Sequence, residues 1–212
     1  MISAQKFWDK TAARYAKSTI RDQASYEKKL AITQQCFRPD SRVLEFGCGT
    51  GSTAMIHAPH VESILATDVS GKMLEIAETK VRAAGIENIR FERGTLESVS
   101  ESLALTPESF DAVLGLNILH LLEDVPGAIT RVHGLLKPGG VFVSSTALLG
   151  AVAWYWRMLI PLAQFFGLAP YVGKFNKDEL VSMLTRAGFS VDHEWQPGAT
   201  SIFIVARKSG RG

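Results

Sequence analysis

Residues 45–51 read Glu45-Phe46-Gly47-Cys48-Gly49-Thr50-Gly51, placing three glycines at alternate positions directly after the apolar run Arg42-Val-Leu-Glu-Phe46. Glycine allows a sharp turn and a close approach of ligand to main chain, and the N–H groups of a helix opening behind it can face an anion. Asp68 closes the run Ser63-Ile-Leu-Ala-Thr-Asp68, 21 residues beyond Gly47, where one carboxylate can accept from both hydroxyls of a ribose. A plain tight turn is the alternative reading of the glycines. A dinucleotide loop would be G-x-G-x-x-G, whereas Ser52 and Thr53 stand where its third glycine would permit close helix packing, so this spacing disfavours a nicotinamide-dependent oxidoreductase. His120 is the best candidate proton acceptor, because it follows a strand at the edge where such sheets bind ligands. Structural service in a loop is its plainer role. Cys36 and Cys48 form no C-x-x-C or Cys/His ligand pattern, and no metal site is expected.

These residues need a frame to hold them. From residue 42 onward short apolar runs alternate with helical patterns, the signature of successive βαβ units and a mostly parallel sheet. The strands expected are 42–47, 63–68, 88–93, 111–116 and 141–145. Ser70 can cap a helix that stops at Gly85, and Asp124 one that stops before Lys137-Pro-Gly-Gly140. Asn176 with Glu179 has the spacing of a capping box, and Gly188 ends the helix that it starts. Two last runs, 189–194 and 201–206, are joined by Gln196-Pro-Gly198, a connection that suits an antiparallel hairpin.

The 212 residues are 46% apolar and 21% charged, ordinary for one globular domain, and the net charge of +2 is no nucleic-acid-binding field. The surplus is uneven, +4 over residues 1–41 and −2 beyond. Either a solvated helix face or a basic arm toward an anionic partner accounts for it. The N-terminal stretch lacks the apolar core of a signal peptide, and two cysteines cannot form a disulfide framework, so a reducing, cytoplasmic setting is expected. Leu148 to Gly173 holds a single charge, Arg157, among many aromatic and aliphatic residues. Its breaks at Pro161, Gly167 and Pro170 leave it too short for a bilayer span of roughly 18–20 residues. Extra core packing, a wall over an apolar ligand and peripheral membrane contact all remain open for it. A wall containing Trp154, Tyr155, Trp156, Met158, Phe165 and Phe166 would favour an apolar or aromatic molecule.

The segments Val43-Leu-Glu-Phe-Gly-Cys-Gly-Thr-Gly51, Ala66-Thr-Asp68-Val-Ser70-Gly-Lys-Met73-Leu, Phe110-Asp-Ala-Val-Leu-Gly-Leu-Asn117-Ile-Leu-His120-Leu and Leu135-Leu-Lys-Pro-Gly-Gly140 together resemble the class I S-adenosylmethionine-dependent methyltransferases. The likeness is to the small-molecule type found in ubiquinone and menaquinone biosynthesis, and it covers most of the chain. It implies an α/β, Rossmann-like fold: a seven-stranded sheet in the order 3-2-1-4-5-7-6, strand seven antiparallel, with helices on both faces. Residues 42–212 would form the cofactor-binding domain with a helical insertion at about 148–175, and residues 1–41 a helical lid. The implied cofactor is S-adenosyl-L-methionine. Glu45, Phe46, Gly47, Cys48, Gly49 and Gly51 would hold its methionine part, Asp68 the ribose, and Val69 and Met73 the adenine. Where the family commonly places an acid for the adenine amino group, this chain has Gly94-Thr95-Leu96-Glu97, so backbone groups of Thr95 and Leu96, with Glu97, would replace it. Asn117 would lie beside the methionyl amino group and sulfonium. Tyr15, in the lid segment Phe7 to Tyr15, would meet the cofactor carboxylate or the acceptor, and Trp154 and Trp156 the acceptor.

The resulting expectation is methyl transfer to a small, hydrophobic or aromatic acceptor. Nucleic acid is disfavoured, since Asn117-Ile-Leu-His120 replaces the Asn/Asp-Pro-Pro-aromatic motif of base methylation and no basic stripe is interleaved with aromatics. A cofactor-binding regulatory or assembly protein without turnover is the alternative from another class. Sequence alone leaves the acceptor and the oligomeric state open.

Overall fold

A computed structural model describes residues 3–148 and 171–210. One sheet of seven strands organises it: β1 (Arg42–Phe46), β2 (Ser63–Asp68), β3 (Ile89–Arg93), β4 (Phe110–Leu116), β5 (Leu136–Ala147), β6 (Phe189–Gly198) and β7 (Ser201–Lys208). Their order is β3-β2-β1-β4-β5-β7-β6. The first five are parallel, while β7 runs antiparallel to both β5 and β6. The order reverses between β1 and β4, so the carboxyl ends of these two strands border the crevice where ligands bind in open α/β sheets.

Side-chain alternation feeds two cores. On one face Leu44, Phe46, Val113, Phe142, Ile202 and Ile204 meet α6 (Val125–Leu135) and α7 (Lys177–Arg186). On the other, Val43, Leu114, Val143, Phe203 and Val205 meet residues of α3 (Ser52–His57) and α4 (Gly71–Ala83), with Ile32 of α2 (Gln23–Gln34) packed beside them. Phe142 and Phe203 are both fully buried, on opposite faces, each contributing ~1.5–3 kcal/mol by leaving water. Two further helices, α1 (Ala4–Ala16) and α5 (Leu96–Ser102), flank the carboxyl edge.

The local punctuation follows the sequence closely. The Ser70 hydroxyl accepts the Met73 N–H, Asp124 accepts the Gly127 N–H, and Asn176 and Glu179 complete their reciprocal box. Two boundaries differ from the expectation. Lys137-Pro-Gly-Gly140 lies inside β5, which pairs Leu136 with Phe110 and, after an irregularity, Val141 with Ala112. Gly139 takes a left-handed φ of +77° there, which lets the strand absorb the extra residues as a bulge. The hairpin turn falls at Ala199-Thr200, between Gly198 and its partner Ser201, while Gln196-Pro-Gly198 belongs to β6. Pro197 is tolerated because β6 is an edge strand, whose outward N–H positions need no ladder partner. Among the described residues, no helix is long and apolar enough to cross a membrane.

The amino edge is tied by charge. The Asp111 carboxylate accepts the Arg42 N–H at 2.9 Å and Lys137 Nζ at 2.8 Å, and also pairs with Arg38. Lys208, at the end of β7, donates to the His133 and Leu136 carbonyls at 2.9 and 2.7 Å and pairs with Glu108 at 3.6 Å. This ammonium satisfies carbonyls at the C-terminus of α6, where a cation is favoured. Replacing it with Met leaves those carbonyls unpaired, and Lys208→Met is expected to lower stability by about 1–3 kcal/mol. Urea unfolding checks this: the midpoint should fall at an unchanged slope, and an unchanged midpoint would show that the contact adds nothing.

Candidate functional site

The loop after β1 is drawn into shape by its neighbours. Gly47, Gly49 and Gly51 adopt φ of +68°, +55° and +70°, a region that L side chains enter at a cost of roughly 1–2 kcal/mol. Their roles separate when a Cβ is considered at each. At Gly47 it would lie 2.6 Å from Ile118 Cγ1, and at Gly51 2.9 Å from the Ala77 Cβ, so these two glycines allow close packing of the loop after β4 and of α4. At Gly49 it would meet only Tyr15 Cε1, at 3.8 Å. A side chain there would project into the clefts that Gly49 lines.

Asp68 fastens this loop. Its Oδ2 accepts the Gly49 N–H and its Oδ1 the Ser70 N–H, both at 2.9 Å. Burial raises its pKa despite these bonds. Ser70 in turn donates its hydroxyl to Asp9 Oδ1 at 2.7 Å, and the Lys72 N–H reaches the same oxygen at 3.2 Å. Asp9 thereby docks α1 onto the start of α4, and these hydrogen bonds, Ser70 first, hold its carboxyl below the ordinary range.

Two clefts open at this edge. The first is lined by Trp8, Tyr15, Phe46, Gly47, Gly49, Thr67, Asp68, Val69, Met73, Gly94, Thr95, Leu96, Leu116, Asn117, Ile118, Leu121 and Leu122. The second runs from Tyr15 through Ile20, Tyr26, Lys29 and Leu30 to Cys48, Thr50, Ser145 and the β6–β7 hairpin. They share Tyr15, Gly47, Gly49, Leu116 and Asn117. Asn117 stands at this junction with φ of +59°, its N–H on the Ser145 carbonyl at 2.6 Å. A left-handed non-glycine residue over-determined by its surroundings is a recurrent mark of functional sites.

The structure brings ten of the sequence-selected residues to the first cleft: Tyr15, Phe46, Gly47, Gly49, Asp68, Val69, Met73, Thr95, Leu96 and Asn117. Cys48 lines the second, and burial raises its thiol pKa well above the ordinary value. Glu45 and Gly51 stand behind the loop, lining neither cleft. Glu45 is buried, and its Oε2 has no hydrogen-bond partner among the described residues. Burial first, then the neighbouring Asp68 charge, pushes its carboxyl up to about 8. Thr95 caps α5 through a box with Ser98, which occupies its hydroxyl. Glu97 pairs instead with Arg131 at 3.2 Å on the surface.

His120 sits in a turn of 3-10 helix after β4 and lines neither cleft. Its Nδ1 contacts the Thr146 hydroxyl at 3.0 Å and accepts the Ala147 N–H at 3.4 Å, and burial lowers its pKa to about 4. Such a ring is neutral near pH 7 and fastens the β4 turn to β5. Trp154 and Trp156 lie outside the described residues. Sequence reasoning missed Lys29, Tyr26 and Leu30 of α2 and Ser145 of β5. Polar Ser144, Ser145 and Thr146 following the apolar Val141-Phe-Val143 were the available signal. Among the described residues no group of His, Cys, Asp and Glu is arranged to hold a metal ion.

Comparison with known proteins bears on this geometry. Residues 43–140 match the family described as a methyltransferase domain. An uncharacterized methyltransferase of Bacillus subtilis, YcgJ, is 35% identical over 111 residues, covering 52% of this chain and 42% of that protein. Its crystal structure aligns with 87% of this chain and all of that one, at a TM-score of 0.70 and 19% identity. A demethylmenaquinone methyltransferase of Symbiobacterium thermophilum is 25% identical over 76% of this chain and 68% of its own length. A Haemonchus contortus N-methyltransferase, solved with phosphomonomethylethanolamine and S-adenosylhomocysteine, superposes at a TM-score of 0.78 and 16% identity over 99% of this chain and 61% of that one. The chain thus spans less than half of YcgJ in the sequence alignment, and the structural likenesses carry the fold.

The buried ionisable groups set a pH profile. His57, in T-shaped contact with Phe37, is held down to about 4 by burial, as is His120. Both take up protons more readily when unfolded, so their effect is lost stability as pH falls from about 6.5 toward 4. Glu45 acts in the opposite sense: folded, it keeps a proton up to about 8, so the stability it contributes is full below its unfolded value and is lost as pH rises through 8. Of these three groups only Glu45 changes above about pH 6.5. Glu45→Gln should flatten the decline between about pH 6.5 and 8 and steepen the rise between about pH 4.5 and 6.5, where Glu45 no longer offsets the two histidines. Urea unfolding across that range measures it, and an equally steep decline in the variant would place its origin elsewhere.

Proposed function

We propose that the chain, whose residues 43–140 match the family described as a methyltransferase domain, binds S-adenosylmethionine across its two joined clefts and methylates a small acceptor with an apolar or aromatic body. The observation that carries this is the junction at Gly47, Gly49, Leu116 and Asn117. One cleft brings together the residues suited to a nucleoside, the other leads away from the same point, and a methyl group presented between them would face an acceptor.

The residues fit the group in two ways. The open Cβ direction at Gly49 is a cradle that a side chain would fill, and Glu45 Oε2, buried behind the loop without a hydrogen-bond partner among the described residues, suits an ammonium. Asp68 retains lone pairs for ribose hydroxyls beside its two backbone bonds. Val69, Met73, Phe46, Leu96 and the Thr95 backbone would enclose the adenine, and Cys48 and Asn117 the amino-acid end, with Glu45 behind them. When bound, the cofactor supplies a methyl group on a sulfonium: the acceptor lone pair forms the new bond while the carbon–sulfur pair leaves with neutral sulfur. The protein's share is positioning and exclusion of water. Trp8 and Tyr15 of α1 line the first cleft and α2 the second, so these two helices serve as a lid latched by Asp9. His120 keeps the β4 turn in place. The two free cysteines suit a reducing compartment such as the cytoplasm.

Calorimetry with S-adenosylmethionine, S-adenosylhomocysteine and NAD tests the reading. Both sulfur compounds should bind, and NAD binding with neither of them would overturn it. Gly49→Ala should weaken binding at least about tenfold with a folding cost near 1 kcal/mol, and Asp68→Ala by about 2 kcal/mol or more. Pairing of Glu45 with an ammonium should release close to one proton near pH 7, seen as a binding enthalpy that varies with the buffer's ionisation enthalpy. Transfer of labelled methyl into a metabolite extract distinguishes an enzyme from a cofactor-binding regulator, which would bind without product.

A further inference from the structure

Lys29 differs from the lysines that meet carboxylates, and from Lys80, whose ammonium also has only hydroxyl partners, Thr50 and Ser52, but lines neither cleft. Lys208 is matched by two carbonyls and Glu108, and Lys137 by Asp111. The Lys29 ammonium, half-buried on α2, donates to a single neutral partner among the described residues, Ser145 Oγ at 2.9 Å. It forms no ion pair with a described carboxylate. Asp22 acts on it only through space, and that carboxylate is engaged by the Ser25 N–H at the start of α2. Burial lowers the lysine's pKa, the direction expected for a cation short of a counter-ion.

Its location is specific. Ser145 sits beside Leu116 in the β4–β5 ladder, its carbonyl accepts the Asn117 N–H, and its hydroxyl donates to Asn117 Oδ1 at 3.4 Å. The ammonium therefore stands over the carboxyl end of β5, across Asn117 from the glycine loop. It lines the second cleft and not the first. Ile20, Leu30 and Leu116 supply apolar surface in the same cleft.

We propose that Lys29 selects the methyl acceptor by pairing with an anionic oxygen, a carboxylate or an acidic phenol, on a molecule whose apolar body lies against Ile20, Leu30 and Leu116. The assignment rests on the methyl-transfer reading above and adds a charge to its acceptor. An ammonium with spare N–H donors in a partly dry cleft strengthens a charge-assisted bond to such an oxygen and disfavours an uncharged analogue. The basic surplus before β1 then has one definite use.

Benzoate and its uncharged isostere benzamide serve as probes, titrated by calorimetry into the full chain with and without S-adenosylhomocysteine. Benzoate should bind at least about tenfold more tightly than benzamide, a margin within reach of one charge-assisted hydrogen bond. Lys29→Met should abolish the preference, Lys29→Arg should keep it, and neither should change affinity for S-adenosylhomocysteine. If Lys29→Met melts too early to measure, Lys29→Gln keeps a polar contact to Ser145 without the charge, and the same loss is expected. No benzoate binding, equal binding of the two probes, or a preference that survives Lys29→Met would overturn the role. Weakened S-adenosylhomocysteine binding in Lys29→Met would overturn it too, assigning the ammonium to the cofactor's carboxylate. Wild-type protein that binds benzoate selectively and no S-adenosylhomocysteine would instead sink the methyl-donor reading.

Discussion

The Asp68 carboxylate holds three parts of the chain in one place. One oxygen fixes the Gly49 N–H and with it the loop after β1; the other fixes Ser70, the residue that begins α4. Through the Ser70 hydroxyl the same chain of contacts reaches Asp9 and thus α1. Charge-assisted bonds to backbone N–H groups are among the stronger contacts available to a partly buried acid, and here they offset part of its desolvation, which still raises its pKa. A ligand that engages Asp68 therefore addresses the glycine loop and the covering helix together.

The two ends of the sheet handle polarity in opposite ways. At the amino edge the Asp111 carboxylate accepts the Arg42 backbone N–H and pairs with Arg38 and Lys137. At the carboxyl edge Glu45 is buried without a hydrogen-bond partner for Oε2, Thr67 leaves its hydroxyl unmatched among the described residues, and Lys29 has only a hydroxyl. Buried polar groups are ordinarily satisfied. Glu45, Thr67 and Lys29 stand around the junction where a ligand would be met, whereas His57 and His193, whose buried ring nitrogens also lack partners among the described residues, line neither cleft.

The strand positions, the glycine loop and Asp68 were legible because each rests on local signals, namely apolar alternation, capping residues and a spacing of glycines after a strand; the sheet order was implied by the family resemblance. The Ser70, Asp124 and Asn176 caps fell where their side chains predicted. What escaped was assembled by tertiary contact. Lys29 and Ser145 are 116 residues apart, and nothing in either neighbourhood announces the other. The position of His120 after β4 was readable, yet its withdrawal from both clefts depends on Thr146 and Ala147 across the ladder. Lys137-Pro-Gly-Gly140 has turn composition, and only pairing with β4 draws it into a bulged strand.

The placement of β7 bears on how the sheet is completed. This strand is the last of the seven in sequence but lies inside the sheet, between β5 and β6. Until residues 201–208 have left the ribosome, the apolar β5 segment Val141-Phe-Val143 presents an unpaired edge, and neither core can gain Phe203 or Ile204. Exposed β-branched edges of this kind invite pairing with other chains. The order of synthesis therefore leaves a growing chain with its central parallel strands in hand and its most vulnerable edge covered last.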